Sequence, residues 1–300
     1  MAVILDDIDA RPGSVASLLR TVVGLYLRLI GGWIAAADLV ALMGSLGVDA
    51  PQARTGIARL RSKGLLIADR RTAAGYALNP AAIPMLERGD RRIFGAPQMG
   101  EGDPWCLVSF SISEDQREAR GRLRRRLQWI GAGSVAPGLW ILPGHLAEEA
   151  EGILEDLGLR AHATLFLTEP PRVAGSLGDA VARWWDLDAL AEAHRGFLER
   201  IAALSGSRAD AGRGEGEDED PGPRGSGPRD PEERDPERSF ADYVRLVDSW
   251  RPIPYIDPGL PAALLPADWP GLRSAAEFGR LSGELAGPAW ARVRAIAIRR

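Results

Sequence analysis

Short amphipathic stretches separated by glycines fill residues 14–78, and this pattern constrains the fold more than any other feature of the sequence. Apolar residues recur at helical spacing over residues 15–30, with Ser14 as a suitable N-cap before them and a glycine pair after them. A second helix is predicted at about 36–43. Because each short helix has one apolar face that it cannot bury alone, the helices must pack together as a small unit.

A third helix and a hairpin complete this unit. The helix is predicted at residues 50–63, with Asp49 as its N-cap and Gly64 as its stop. Two short strands follow at 65–69 and 75–78, around a basic turn. This order predicts a winged helix-turn-helix, in which the second helix of the turn pair enters the major groove of DNA.

Local charge supports this prediction. Residues 50–92 contain nine basic and three acidic side chains, a net charge of +6, although the whole chain carries −4. Ala53, Ile57 and Leu60 share the inward face of the third helix, which leaves its polar residues facing outward. On that face, glutamine can read adenine, arginine can read guanine, and further cations can contact phosphates. The alternative to DNA binding is a small helical domain with a solvated charged helix. The candidate DNA-binding residues are Gln52, Arg54, Thr55, Arg59, Arg61, Lys63, Arg70 and Arg71, with Gly56 also placed on the outer face.

The middle of the chain alternates strands and helices in the order βαββαβ, which predicts a ferredoxin-like domain. Cys106 is the only cysteine and lies in an apolar run, so we interpret it as a buried hydrophobic residue. One cysteine and three scattered histidines provide no metal cluster. The predicted elements are strands at 105–112, 134–136, 139–142 and 161–167, and helices at 114–130 and 147–157.

The remainder is predicted to be helical and to contain an acidic insertion. Residues 205–238 carry a net charge of −5 and almost no apolar side chains, which predicts a disordered, tolerated loop. A partner-binding or DNA-mimicking segment is the alternative. We therefore expect an α+β protein with three domains. They are a winged helix-turn-helix at 1–95, a ferredoxin-like central domain at 103–172 and a helical C-terminal domain at 173–300.

The sequence also bounds the location of the protein. No apolar run reaches the roughly 18 residues that span a bilayer. The acidic first residues lack the basic region of a signal peptide. These two observations favour the cytoplasm.

Four segments carry a resemblance to a known family. The segments read "SLLRTVVGLYLRLIGGWI…ARTGIARLRSKGLL…GYAL", "WCLVSFSISEDQREARGRLRRRLQWIGAG…GLWI", "WWDLDALAEAHRGFLERI" and "FADYVRLVDSWRPIPYIDPGLPAALLPADWPG". They resemble the phenylacetic-acid-degradation repressor (PaaX) family, and the resemblance covers nearly the whole chain except the insertion. The resemblance implies a homodimeric repressor with the three domains above. It also implies that operator affinity is lost when an aryl-coenzyme A thioester binds, typically phenylacetyl-coenzyme A.

The middle domain of that family is similar to a CRISPR-associated endoribonuclease, so a metal-dependent nuclease is the alternative function. Such an enzyme needs carboxylates to hold a divalent cation. Here the position expected for the acidic ligand carries Ser111. Glu114 and Asp115 lie beyond it and are more suited to the start of the following helix. We therefore expect no enzyme activity, no catalytic residues and no cofactor.

Two regions are candidates for effector binding. The arginine-rich helix could bind coenzyme A phosphates, flanking DNA or a dimer mate, or be a solvated face. The proline-rich segment that follows residue 249 combines aromatics with fixed charges, which suits an aryl-thioester pocket or equally the packing of a loop. The candidates are Arg117, Arg120, Arg124, Trp250, Arg251, Tyr255, Asp257 and Trp269.

These observations predict a repressor of a catabolic operon that an acyl- or aryl-coenzyme A ester releases from DNA. The ester would bind between the central and C-terminal domains. An activator, or a regulator with another type of effector, remains an alternative.

Overall fold

The computed structural model describes residues 11–95, 97–211 and 235–298, without the side chains of 114 and 204–211. No helix within these ranges is long and apolar enough to cross a membrane. Most of the predicted acidic insertion lies outside the described residues. Its predicted bounds were too wide, because helix α8 continues to Ala211 and helix α9 begins at Pro236. Residues 205–211 contain no proline that would end α8, and Asp235 accepts hydrogen bonds from two amides of the first turn of α9.

The described residues form two compact units, each built from separate parts of the chain. The first combines those of Met1–Ile93, Phe197–Trp250 and Ala275–Arg300. The second combines Phe94–Gly196 and Arg251–Ser274. The division into three consecutive domains stays a prediction.

The first unit begins with three helices: α1 (Val15–Val22), α2 (Ala36–Gly44) and α3 (Ala50–Ser62). Ser14 caps α1 as predicted, with its hydroxyl accepting from the Ser17 amide at 3.3 Å. The single α-helix predicted at 15–30 is too long, because α1 ends at Val22 and continues as a π-helix only to Leu27. The ring of Tyr26, within that π-helix, lies 5.7 Å from that of Phe240, a packing contact that the local sequence does not reveal.

A small antiparallel sheet joins these helices. It consists of β1 (Trp33–Ala35), β2 (Leu66–Arg70) and β3 (Ala74–Leu78), in the order β1-β3-β2. The hairpin β2–β3 was predicted, whereas the three-residue strand β1 was not. A Cβ atom at Gly75 would lie 2.4 Å from the Ile34 carbonyl oxygen, so this close pairing requires glycine.

The second unit confirms the βαββαβ order. Its strands β4 (Trp105–Phe110), β5 (Gly133–Ala136), β6 (Leu139–Pro143) and β7 (Ala163–Thr168) form an antiparallel sheet in the order β5-β6-β4-β7. This is the split βαβ arrangement. The intervening helices are α5 (Arg117–Trp129) and α6 (Ala147–Asp156).

Both faces of this sheet carry apolar side chains. Cys106 lies on the face packed with α5 and α6 and is fully buried, as predicted. Burial raises the pKa of its thiol to about 11. On the other face, Trp105 and Ile141 pack with Trp185 and Leu260 of the same unit.

The remaining helices are α4 (Ile83–Gly95), α7 (Leu177–Trp184), α8 (Leu187–Ala211), α9 (Pro236–Trp250), α10 (Ile253–Ile256) and α11 (Gly271–Ala297). In the first unit, Asp248 of α9 accepts hydrogen bonds from the Gly13 amide at 2.6 Å and from the hydroxyls of Ser17 and Thr21 at 2.5 and 3.0 Å. The buried carboxylate thereby attaches the start of the chain to a helix that is 235 residues away.

Candidate nucleic-acid interface

Helix α3 has one buried face and one exposed face. Asp49 caps it by accepting from the Gln52 amide at 2.8 Å, and Pro51 lies in its first turn. Ala53, Ile57 and Leu60 are buried, as the helical spacing predicted.

The outward placement of Gly56 was wrong. This glycine is buried, and a Cβ atom there would lie 3.2 Å from Leu19 and 3.3 Å from Val15 of α1. Gly56 therefore marks the place where α3 and α1 approach most closely. The helical spacing did contain this information, because Gly56 is three residues after Ala53 and four before Leu60, on the same inward face.

The exposed face of α3 is basic and polar. The helix contains no Asp or Glu, so nothing within it offsets its arginines. Thr55 donates its hydroxyl hydrogen to the Pro51 carbonyl at 3.0 Å, and the Arg61 guanidinium lies 6.0 Å from the centre of the Tyr76 ring on β3. The exposed candidates on this helix and its C-cap are Gln52, Arg54, Thr55, Arg59, Arg61 and Lys63.

The two arginines of the hairpin differ in their surroundings. Arg71 forms an ion pair with Asp69 at 3.0 Å and lies 5.5 Å from the centre of the Trp33 ring. Arg70 is exposed at the end of β2. Since an acidic partner offsets the charge of Arg71, Arg70 is the better placed of the two to attract a phosphate.

The candidate effector residues do not form one cluster. Trp250 belongs to the first unit, where it is 2% exposed, donates its indole N–H to the Ile93 carbonyl and stacks on Phe278. These contacts are those of a core residue. The other seven belong to the second unit. There Arg117 and Arg124 are exposed on α5, Arg120 and Tyr255 are half-buried, and Arg251 is buried.

The second unit does bring Asp257 and Trp269 together, around a histidine that the sequence analysis did not single out. His194 is 2% exposed, and its Nε2 lies 2.7 Å from the Asp257 carboxylate. Its Nδ1 lies 2.5 Å from the Ser274 hydroxyl, and its ring meets that of Trp269 edge-on at 5.8 Å. The only available signal was the position of His194 among the buried Leu190, Ala191 and Phe197 of α8.

A Ser–His–Asp set can perform nucleophilic catalysis, but the burial of this one argues against such a role. Ser274 is fully buried, and its hydroxyl also lies 3.0 Å from the Gly271 carbonyl. A substrate carbonyl could not reach that oxygen without opening the unit. We therefore interpret the cluster as a buried polar connection between three segments of the second unit.

The described residues also offer little to a catalytic metal. No group of three or more His, Cys, Asp or Glu side chains that could hold a metal ion occurs among them. Ser111 is exposed just after β4, at the position where the resemblance of the central domain to an endoribonuclease predicts an acidic ligand.

Comparison with known proteins gives matches to a single family along most of the chain. Three family models match it: "PaaX-like protein" at residues 14–82, "PaaX protein central Cas2-like domain" at 101–178 and "PaaX-like protein C-terminal domain" at 226–295. The chain is 25% identical over 268 residues to the transcriptional repressor PaaX of Escherichia coli (strain K12). The aligned region covers 88% of this chain and 78% of that protein.

A solved structure has a similar fold. The uncharacterized protein Rv0674 from Mycobacterium tuberculosis matches with a TM-score of 0.55 and 22% identity, over 92% of this chain and 99% of that one. At this identity the likeness concerns the fold alone.

Proposed function

The chain belongs to the PaaX family of transcriptional regulators, and from this premise we propose that it is a repressor that binds operator DNA through α3 and the β2–β3 hairpin. The observation that carries the proposal is the two-faced α3, which is apolar and buried toward α1 but basic and exposed outward. With the order α1-β1-α2-α3-β2-β3, this segment acts as a winged helix-turn-helix.

Within this proposal, the residues on the outward face of α3 that meets the bases are Gln52, Thr55, Arg59 and Lys63. Arg54 and Arg61 flank them, and Arg70 and Arg71 contact the backbone or the minor groove beside them. The protein acts as a homodimer on a roughly palindromic site in the cytoplasm, and it is a regulator rather than an enzyme.

The release step is assigned to a coenzyme A thioester, with phenylacetyl-coenzyme A as the first candidate. We place DNA binding and effector binding in different units of the protein. In support of this, all eight DNA-binding candidates belong to the first unit, and seven of the eight effector candidates belong to the second. The candidates for the coenzyme A phosphates are Arg117, Arg120 and Arg124, and the candidates for the aryl-thioester pocket are Arg251, Tyr255, Asp257 and Trp269. Release requires that the thioester bind two states of the protein with different affinity.

The test is fluorescence anisotropy with the DNA upstream of the protein's own gene, with and without phenylacetyl-coenzyme A. We expect tight, salt-sensitive binding that the thioester weakens by tens of times to about a hundredfold, a coupling of about 2–3 kcal/mol. Binding that ignores the thioester would contradict only the effector. Binding no tighter than to random duplex, together with cleavage of DNA or RNA in magnesium or manganese, would replace the repressor by a nuclease.

A further inference from the structure

The turn between α2 and α3 is held by side chains from the far end of the chain. The Ser45 hydroxyl donates to the Glu237 carboxylate at 2.8 Å, and Arg292 donates to the Ser45 oxygen at 3.1 Å. Arg292 also pairs with Glu237 at 2.8 Å, while Arg245 donates to the Leu46 carbonyl at 3.0 Å. We call Glu237, Arg245 and Arg292 the turn clamp. All five residues belong to the first unit.

These contacts lie where they can control the position of α3. Ser45 is the C-cap of α2 and Asp49 is the N-cap of α3, so three residues separate the two caps. Leu46 and Val48 are buried, which leaves the turn little freedom to absorb a displacement. A shift of Ser45 or Leu46 is therefore passed to the first turn of α3, which carries Gln52.

The exposure of the clamp argues that its role is not chiefly stability. The Glu237 side chain is 50% exposed and that of Arg292 is 29% exposed. Ion pairs at such positions contribute little to folding, because water screens them and their long side chains lose entropy. Three side chains from α9 and α11 that meet on one turn therefore suit a positioning role better than a stabilising one.

We infer that Glu237, Arg245 and Arg292 are positioning residues that set the orientation of α3 for its operator. This inference rests on the proposed function, since it names what α9 and α11 contribute to the same interface. It adds to DNA recognition three residues that lie outside the DNA-binding segment and touch no base.

The first test compares Glu237→Ala with Glu284→Ala in the full-length protein. Glu284 provides a matched control, because its carboxylate is likewise partly exposed and pairs with an arginine of α11, Arg280, at 2.6 Å. We expect Glu237→Ala to weaken operator binding by about twofold to thirtyfold, the range for residues that modulate a binding site without touching its ligand. Affinity for random duplex and the melting temperature should match those of the control.

Exchanging the charges of Glu237 and Arg292 tests whether the ion pair itself positions α3, rather than either side chain alone. The double variant Glu237→Arg with Arg292→Glu keeps an ion pair next to Ser45 and should recover most of the operator affinity, whereas each single change should lose it. Failure of the double variant to recover affinity, or equal losses on operator and random duplex, would overturn the inference.

A second measurement needs no DNA. Amide hydrogen exchange of the full-length protein should be faster at residues 44–52 in Glu237→Ala than in the wild type, and unchanged there in Glu284→Ala. Equal amide exchange at residues 44–52 in the wild type and both variants would overturn the inference that the turn clamp positions α3, even if the protein binds its operator. Faster exchange in a protein that shows no operator preference would instead support the clamp's hold on α3 and contradict the proposed function.

Discussion

Two glycines of this protein lie where a Cβ atom would be too close to its neighbours, at Gly75, or tightly packed against them, at Gly56. Gly75 faces the Ile34 carbonyl and the Trp33 ring across the small sheet, and Gly56 faces Leu19 and Val15 across the junction of α3 and α1. Both glycines lie next to the proposed DNA-binding surface. Packing therefore limits the choice of residue in this segment as strongly as recognition does.

The steric constraint at Gly75 can be measured directly. Gly75→Ala should destabilise the protein by about 3 kcal/mol, the upper end of overpacking costs, because the added methyl meets backbone that cannot move away. Gly283→Ala is the control. Nothing lies within 4 Å of a Cβ atom at Gly283 in α11, so alanine should raise stability by up to about 1 kcal/mol. Chemical denaturation of both variants checks this, and similar values for the two would contradict it.

Arg59 is the residue of α3 for which we predict the most selective loss. Arg59→Ala should weaken binding to the operator by about 1–3 kcal/mol and binding to random duplex far less, if its guanidinium contacts a base. Arg183→Ala removes one exposed arginine from α7 and is the matched control. Anisotropy titrations of both variants on both duplexes decide the matter, and equal losses on the two duplexes would make Arg59 a phosphate contact.

At the scale of elements, contacts between arginines and aromatic rings connect the hairpin β2–β3 to its neighbours, helix α3 and strand β1. Arg61 of α3 lies over Tyr76 of β3, and Arg71 lies over Trp33 of β1 while pairing with Asp69. The basic residues of this region therefore serve two purposes, because some contact neighbouring elements and others face solvent.

This division predicts different salt dependence for the two neighbouring arginines. Arg70→Ala should weaken binding to all duplexes similarly and reduce the slope of log affinity against log salt by about one phosphate contact. Arg71→Ala should change the slope less, since Asp69 already offsets its charge. Titrations over a range of salt concentrations test both variants, and a larger change for Arg71→Ala would reverse the assignment.

At the scale of the whole molecule, segments that are distant in sequence share one unit. Asp248 of α9 receives hydrogen bonds from Gly13, Ser17 and Thr21, and Tyr26 packs against Phe240 and Trp290. Burial raises the pKa of the Tyr26 hydroxyl, which stays protonated in this environment. Helices α9 and α11 thus complete the core on which the proposed DNA-binding segment is built.

Asp248→Asn tests this long-range connection. The amide replaces one acceptor oxygen by a donor that faces other donors, so the free energy of unfolding should fall by about 2 kcal/mol. Asp268→Asn, at an exposed position of the second unit, is the control and should have little effect. Thermal denaturation followed by circular dichroism compares them. Equal melting temperatures would show that the buried carboxylate does not stabilise the first unit.

The amino-acid sequence by itself determined the local elements of this protein. The caps Ser14 and Asp49, the buried spacing of Ala53, Ile57 and Leu60, the hairpin and the βαββαβ order were all predicted, because these features depend on residues a few positions apart. Exposure of the polar face of α3 followed from the same periodicity.

Only the tertiary structure decided how these elements combine. Strand β1 exists because β3 pairs with it. The His194 cluster joins residues as many as 80 positions apart, and the turn clamp joins residues about 200 or more positions apart. Such contacts depend on the path of the whole chain, and neither periodicity nor capping in a short window contains that information.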